Sequence, residues 1–220
     1  MTDLSALPYS CHCVGLFGGT FNPVHCGHVA VAQRALQQCN LDAVLWIPAG
    51  FPPHKPLASG ASNLERLEMV KLAIADCPKF YVSDVELQRP GRSFAIDTIA
   101  QCKADYPWVR EWSWIIGADA IADLPTWHRA SEVAGCCQWI VAPRLDTSGN
   151  LLSGERESGE RLLKTLQEHL PALRAKWLTD VEWAVSSSNI RQRLSQGKAV
   201  VDCVPMAVST YLRMKNLYTE

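Results

Sequence analysis

The 220-residue sequence has no surplus of either charge: 21 Lys and Arg stand against 22 Asp and Glu, a net of −1. Without a basic excess or a basic run it lacks the electrostatic footprint of non-specific nucleic-acid binding. No apolar run approaches the ~18 residues that a membrane helix needs. The opening MTDLSALPYSCHCVG has neither the basic start nor the apolar stretch of a secretory signal. The Walker pattern G-x-x-x-x-G-K-[ST] and the dinucleotide pattern G-x-G-x-x-G are both missing. What remains is an ordinary globular composition, 48% hydrophobic and 20% charged, that predicts one cytosolic α/β enzyme or binding domain.

Cysteine is plentiful, but the nine residues are odd in number and scattered, which predicts reduced, mostly buried thiols rather than a disulfide framework. Cys11, His12 and Cys13, with Cys26 and His28 downstream, do not match any standard zinc-ligand spacing, so no protein-held metal is expected.

Short apolar runs alternate with helical patterns, which predicts a doubly wound parallel sheet. Strands are expected at 14–17, 43–50 (broken by Pro48), 79–87, 111–119, 137–143 and 181–185. Helices are expected at 27–38, from the Ser62/Glu65 capping box to about Cys77, at 93–104, 124–134, 160–169, 187–197 and 205–216. Residues 146–159, rich in Ser, Gly and Glu, read as a mobile loop. The chain is expected to form one domain: a core over about 14–145, a variable stretch over 146–180, and a small C-terminal helical part over 181–220. In such sheets ligands sit beyond the carboxyl ends of the strands.

The chemistry concentrates in VGLFGGTFNPVHCGHVAVAQRAL, residues 14–36. Gly18 and Gly19 allow a tight turn and close approach of main chain to a ligand. The amides there and at the following helix start form a ready anion site. His25 and His28, three apart, place two imidazoles on one face, and Gly27 between them leaves room for a base or phosphate.

This segment resembles the signature G-G-T-F-[ND]-P-V-H-x-G-H of the nucleotidyltransferase superfamily. IPAGFPPHKP, IIGADAIADLPTWHR and VSSSNIRQRL follow in the order of the bacterial nicotinate-nucleotide adenylyltransferase family, so the similarity runs from about Val14 to Tyr218. The resemblance implies a Rossmann-like fold, Mg²⁺ as cofactor, ATP and nicotinate mononucleotide as partners, and deamido-NAD and pyrophosphate as products. Such a transfer joins two polyanions in line, so positioning and electrostatic stabilisation carry it.

On that resemblance His25 and His28 are the catalytic stabilisers of the shifting phosphate charge. Gly18, Gly19, Thr20 and Phe21 would hold ATP phosphate, with Gly117 and Asp119 at the ribose. Ser186, Ser188, Ile190 and Arg191 would form a second anion device at a helix start. Lys55, Ala95, Thr98, Trp127 and Arg144 would hold the mononucleotide: Lys55 by charge and Trp127 by its flat face. Trp46, Trp112, Trp114 and Trp139 sit in strand runs and are expected in the core. Ala95 stands where the family commonly has threonine, Ser188 replaces another threonine, and Pro143-Arg144-Leu145 replaces a usual R-P-G. Nicotinamide mononucleotide or phosphopantetheine as acceptor, or a catalytically silent nucleotide-binding protein, are the other readings. A tRNA synthetase is not expected, because the chain lacks a KMSKS-like loop. Homo-oligomer formation is left open.

Overall fold

A computed structural model describes residues 6–53, 60–143, 155–181 and 185–219. Strand β1 (Cys13–Gly19) leads into helix α1 (Cys26–Gln38), and β2 (Ala43–Pro48) into α2 (Asn63–Ile74). β3 (Phe80–Val82) is followed by a short α3 (Val85–Gln88) and by α4 (Ala95–Asp105). After β4 (Glu111–Gly117) come α5 (Ala118–Ala122), a 3-10 turn at Leu124–Thr126 and α6 (Ala130–Cys136). β5 (Gln138–Ala142), α7 (Glu155–His169), β6 (Arg174–Trp177), α8 (Ser187–Ser195) and α9 (Met206–Met214) complete the chain.

The strands form one sheet in the order β3-β2-β1-β4-β5-β6, and every pairing is parallel. This is the doubly wound Rossmann-like order, and the order in which strands are added reverses between β1 and β4. Helices cover both faces, so all six residues of β2 are buried and the strand reads as an unbroken apolar run. Alternate residues feed two cores. Val44, Trp46, Ile115 and Ile140 pack with α1, α2, α8 and α9. Leu45, Ile47, Trp114 and Trp139 pack on the face of α4, α6 and α7. The four strand tryptophans are buried, as predicted.

Several boundaries differ from the sequence reading. The strand expected over 79–87 ends at Val82, because Ser83 and Asp84 start a short helix whose Leu87 and Gln88 amides bond back to the Asp84 carbonyl. The single helix expected over 124–134 is three pieces. Leu124 to Thr126 form a 3-10 turn with Pro125 inside it, Trp127 is extended, and Arg129 takes a left-handed φ of 57° before α6. Helix α2 stops at Ile74 rather than Cys77, and α7 begins at Glu155 rather than Glu160. The sixth strand is Arg174–Trp177, not 181–185; residues 182–184 lie outside those described. The capping box of Ser62 and Glu65 forms as read, with Ser62 N–H donating to Glu65 Oε2 at 2.8 Å. All nine cysteines are free, four of them buried and five partly buried. Among the described residues no helix is long and apolar enough to cross a membrane.

Candidate active site

The carboxyl ends of β1 and β4, Gly19 and Gly117, face the point where the sheet order reverses. A cavity of about 260 Å³ opens there. Gly18, Gly19 and Thr20 line one side of it, and Ala95, Gly117 and Trp127 the other.

The two glycines do not themselves turn the chain. Both belong to β1, and the left-handed residue is Phe21, with φ 47°. Their missing Cβ atoms serve packing instead. A Cβ on Gly18 would sit 2.8 Å from the Trp114 ring, and one on Gly19 would sit 3.0 Å from the Phe21 ring. Phe21 is 1% exposed and sets its ring edge-on to His28, with centroids 5.1 Å apart.

His25 is the N-cap of α1, in extended conformation rather than within the first turn. The two histidines form a reciprocal capping box. His28 N–H donates to His25 Nδ1 at 3.3 Å, and His25 N–H donates to His28 Nδ1 at 3.2 Å. The rings stack with centroids 3.6 Å apart. Because each Nδ1 accepts a backbone proton, the neutral form of each ring carries its own proton on Nε2. Burial pushes the His25 pKa down to about 4; burial, with His25 alongside, holds His28 well below the usual imidazole range. Two neutral imidazoles, each with a fixed Nε2–H donor, result.

The backbone at this helix start departs from expectation. Cys26 N–H is taken by the Cys203 carbonyl at 2.9 Å and His28 N–H by His25, so these two first-turn amides are spent inside the protein. The donors offered at the start of α1 are imidazoles rather than these amides.

Helix α8 brings the second group of residues. Ser186 caps it, accepting Asn189 N–H at 3.2 Å. Ser187 Oγ donates to the Pro23 carbonyl at 2.9 Å, and Arg191 Nη1 to the Asn22 carbonyl at 2.7 Å. Arg191 Nη2 reaches Ser188 Oγ at 3.4 Å, while Ile190 is fully buried and anchors the turn. The start of α8 is therefore tied to the loop that leads into His25. Ser187 carries this junction and was not singled out by its sequence position, since it sits between two serines with the same chemistry. Tyr218, from the C-terminal tail, adds a hydroxyl bond to the Asn22 side chain.

On the other wall, Ala95 is the first residue of α4, where the first main-chain amides have no partner within the helix. Trp127 lines the cavity and packs edge-on to Trp139, with ring centroids 5.8 Å apart. Thr98 lies behind the wall rather than on it. It is fully buried, and its hydroxyl donates to Glu86 Oε1 at 2.7 Å and accepts from Arg89 Nη2 at 2.8 Å. Asp119 is exposed at the second position of α5, so it is not the N-cap of that helix. Lys55 and Arg144 lie outside the described residues.

Glu86, Ser93 and Arg66 escaped the sequence reading. Glu86 is 5% exposed on the cavity wall; burial raises its pKa against the opposing bonds from Thr98 and Ser93. Ser93 Oγ accepts both Gly50 and Phe51 N–H at 3.1 Å, clamping the loop after β2 against the start of α4. Arg66 is wholly buried beneath Thr20 and Ala49. Its signal is present in the sequence: Arg66, Met69, Val70 and Ala73 share one helix face, which puts a charge on an apolar stripe.

A cytidylyltransferase-like family model matches residues 16–193. A "Probable nicotinate-nucleotide adenylyltransferase" of Synechococcus sp. (strain JA-3-3Ab) is 46% identical over 207 residues, spanning 94% of this chain and 95% of the relative. A relative of the same name from Gloeobacter violaceus is 43% identical, over 93% and 95%. The fold is also that of the Plasmodium falciparum nicotinic acid mononucleotide adenylyltransferase complexed with NaAD, at TM-score 0.69 and 18% identity, with 93% and 96% covered. With the sheet order, the paired histidines and the α8 junction in place, the chain belongs to the cytidylyltransferase-like family, as a member of its nicotinate-nucleotide adenylyltransferases.

Proposed function

We propose that the protein transfers the adenylyl group of ATP to nicotinate mononucleotide, giving deamido-NAD and pyrophosphate. The observation that carries this reading is the junction of two helix starts: Ser187 and Arg191 bond to the carbonyls of Pro23 and Asn22, directly before His25. These bonds tie the start of α8 to the loop that joins the cavity-lining Gly18, Gly19 and Thr20 to the paired imidazoles, which supports a shared phosphate site. A triphosphate is the ligand that such a site suits.

In this reading the mononucleotide base enters the cavity against Trp127, and the amide of Ala95 meets its carboxylate. Lys55, Thr98 and Arg144 are retained as mononucleotide residues, Thr98 acting through Glu86 rather than by contact. Gly18, Gly19, Thr20 and Phe21 line the phosphate path, with Asp119 and Gly117 at the ribose. The mononucleotide phosphate attacks the α-phosphorus in line, the bond to the β-phosphate oxygen breaks, and the electron pair leaves with pyrophosphate. His25 and His28 donate from Nε2 to the phosphate oxygens as that charge grows. No covalent enzyme intermediate is required.

Mg²⁺ fits this site as an ion carried on the nucleotide. Both Nδ1 atoms are committed to backbone protons, and no cluster of three acidic, His or Cys residues suited to a metal occurs among the described residues. Phosphate oxygens and water would then supply the ligands, as Mg²⁺ prefers, and the ion would neutralise phosphate charge.

Pyrophosphate release with ATP and each acceptor tests the assignment. Release with nicotinate mononucleotide, at a kcat/KM well above that with nicotinamide mononucleotide or phosphopantetheine, is expected. Equal rates for the acid and the amide would remove the nicotinate assignment, and no release would remove the enzyme. His28→Ala should lower kcat about 10²–10³-fold, the usual loss for one such donor.

A further inference from the structure

Arg66 is a charge held where an apolar residue is expected. It is 0% exposed, and its helix neighbours on the same face, Met69 and Val70, are fully buried as well. Nη1 donates to the Thr20 carbonyl at 2.5 Å; Nη2 donates to the Ala49 carbonyl at 2.5 Å and to Asn63 Oδ1 at 2.7 Å. All three acceptors are neutral, and Nε has no partner among the described residues. Glu86 and Tyr218 are the acidic side chains close enough to bear on it. A buried cation without a bonded counter-ion is costly to keep, and a guanidinium does not escape the cost by losing its proton. Aliphatic residues would fill this space on α2 more cheaply.

The place of the two carbonyls supplies the reason. Thr20 and Ala49 directly follow β1 and β2 at the ligand edge of the sheet, and both line the cavity. Strand ends in a parallel sheet present carbonyl oxygens there, and these have the wrong sign for a polyanion. The Arg66 fork takes up one such oxygen from each strand end. It also fixes the Thr20–Phe21 peptide plane, so the Phe21 N–H faces away from Arg66. Thr20 thereby reaches the site by its position and not only by its hydroxyl.

We propose that Arg66 is a positioning residue for the polyphosphate: it masks the carbonyls at the ends of β1 and β2 and lends the phosphate turn a buried positive charge. This rests on the adenylyl-transfer reading for its biological ligand, although its test does not need turnover.

The full-length parent, Arg66→Lys and Arg66→Met are titrated calorimetrically with inorganic tripolyphosphate and, separately, with adenosine. Loss of the charge and both carbonyl contacts in Arg66→Met should weaken tripolyphosphate about tenfold or more, and Arg66→Lys, which keeps the charge, about threefold. Adenosine, which has no phosphate, should bind all three alike. The proposal is overturned if a folded variant holds tripolyphosphate as the parent does, or if adenosine weakens in step, which marks a general structural role. Should Arg66→Met fail to fold, Arg66→Lys decides on the same two titrations. A parent that binds tripolyphosphate but forms no dinucleotide would sink the adenylyl-transfer reading and leave Arg66 to be judged on its variants.

Discussion

Histidine is not among the residues usually found at a helix N-cap, and the pairing of His25 with His28 gives that choice a chemical purpose. The reciprocal bonds satisfy two backbone donors and select the tautomer that presents Nε2–H. Stability should register this. His25 stays neutral in the fold down to about pH 4, whereas an unfolded histidine titrates near 6.5. Between those values the unfolded chain binds the additional proton, so acidification favours unfolding; His25 alone contributes a loss of about 3 kcal/mol by the low end. Urea midpoints measured at pH 7 and 4.5 should fall less in His25→Asn, which keeps a capping side chain, than in the parent. Single residues were unevenly legible in the sequence. The histidines, Arg191 and Trp127 were marked by motif. Thr98 was marked too, but its hydroxyl is spent on Glu86, a partner twelve positions away that no local pattern reveals. Arg66 was visible only as a charge out of phase with its helix.

Among the elements, those with strong local signals formed as read: β1, α1, the capped start of α2, and α8 with its stop at Gly197, where φ is 68°. The errors fell on short segments. β3 is three residues long because it pairs with β2 alone, and alternation over 79–87 could not show where that pairing ends. β6 was hidden because RAKW is half polar, as befits a strand bonded on one side only to β5. The loop after β2 depends on a close approach that only glycine permits: a Cβ on Gly50 would lie 2.4 Å from the Glu86 carbonyl oxygen. Gly50→Ala should therefore push this loop off the cavity wall and raise KM for the mononucleotide about tenfold, with little change in KM for ATP. Steady-state kinetics with each substrate varied in turn would show it.

At the scale of the whole molecule, alternating strands and helices predicted the parallel doubly wound sheet, but not its register or the meeting of α8 with the loop before α1. That meeting depends on contacts more than 160 positions apart, Ser187 to Pro23 and Arg191 to Asn22, and no sequence window spans them. The tail tightens the same loop through Tyr218 and Asn22. Tyr218→Phe should lower stability by about 1 kcal/mol in a denaturant melt and raise KM for ATP more than KM for the mononucleotide. The junction also bears on the order of folding. Its two bonds each close a loop of more than 160 residues, so by loop-closure cost they form late, after the strands and helices that lie near one another along the chain.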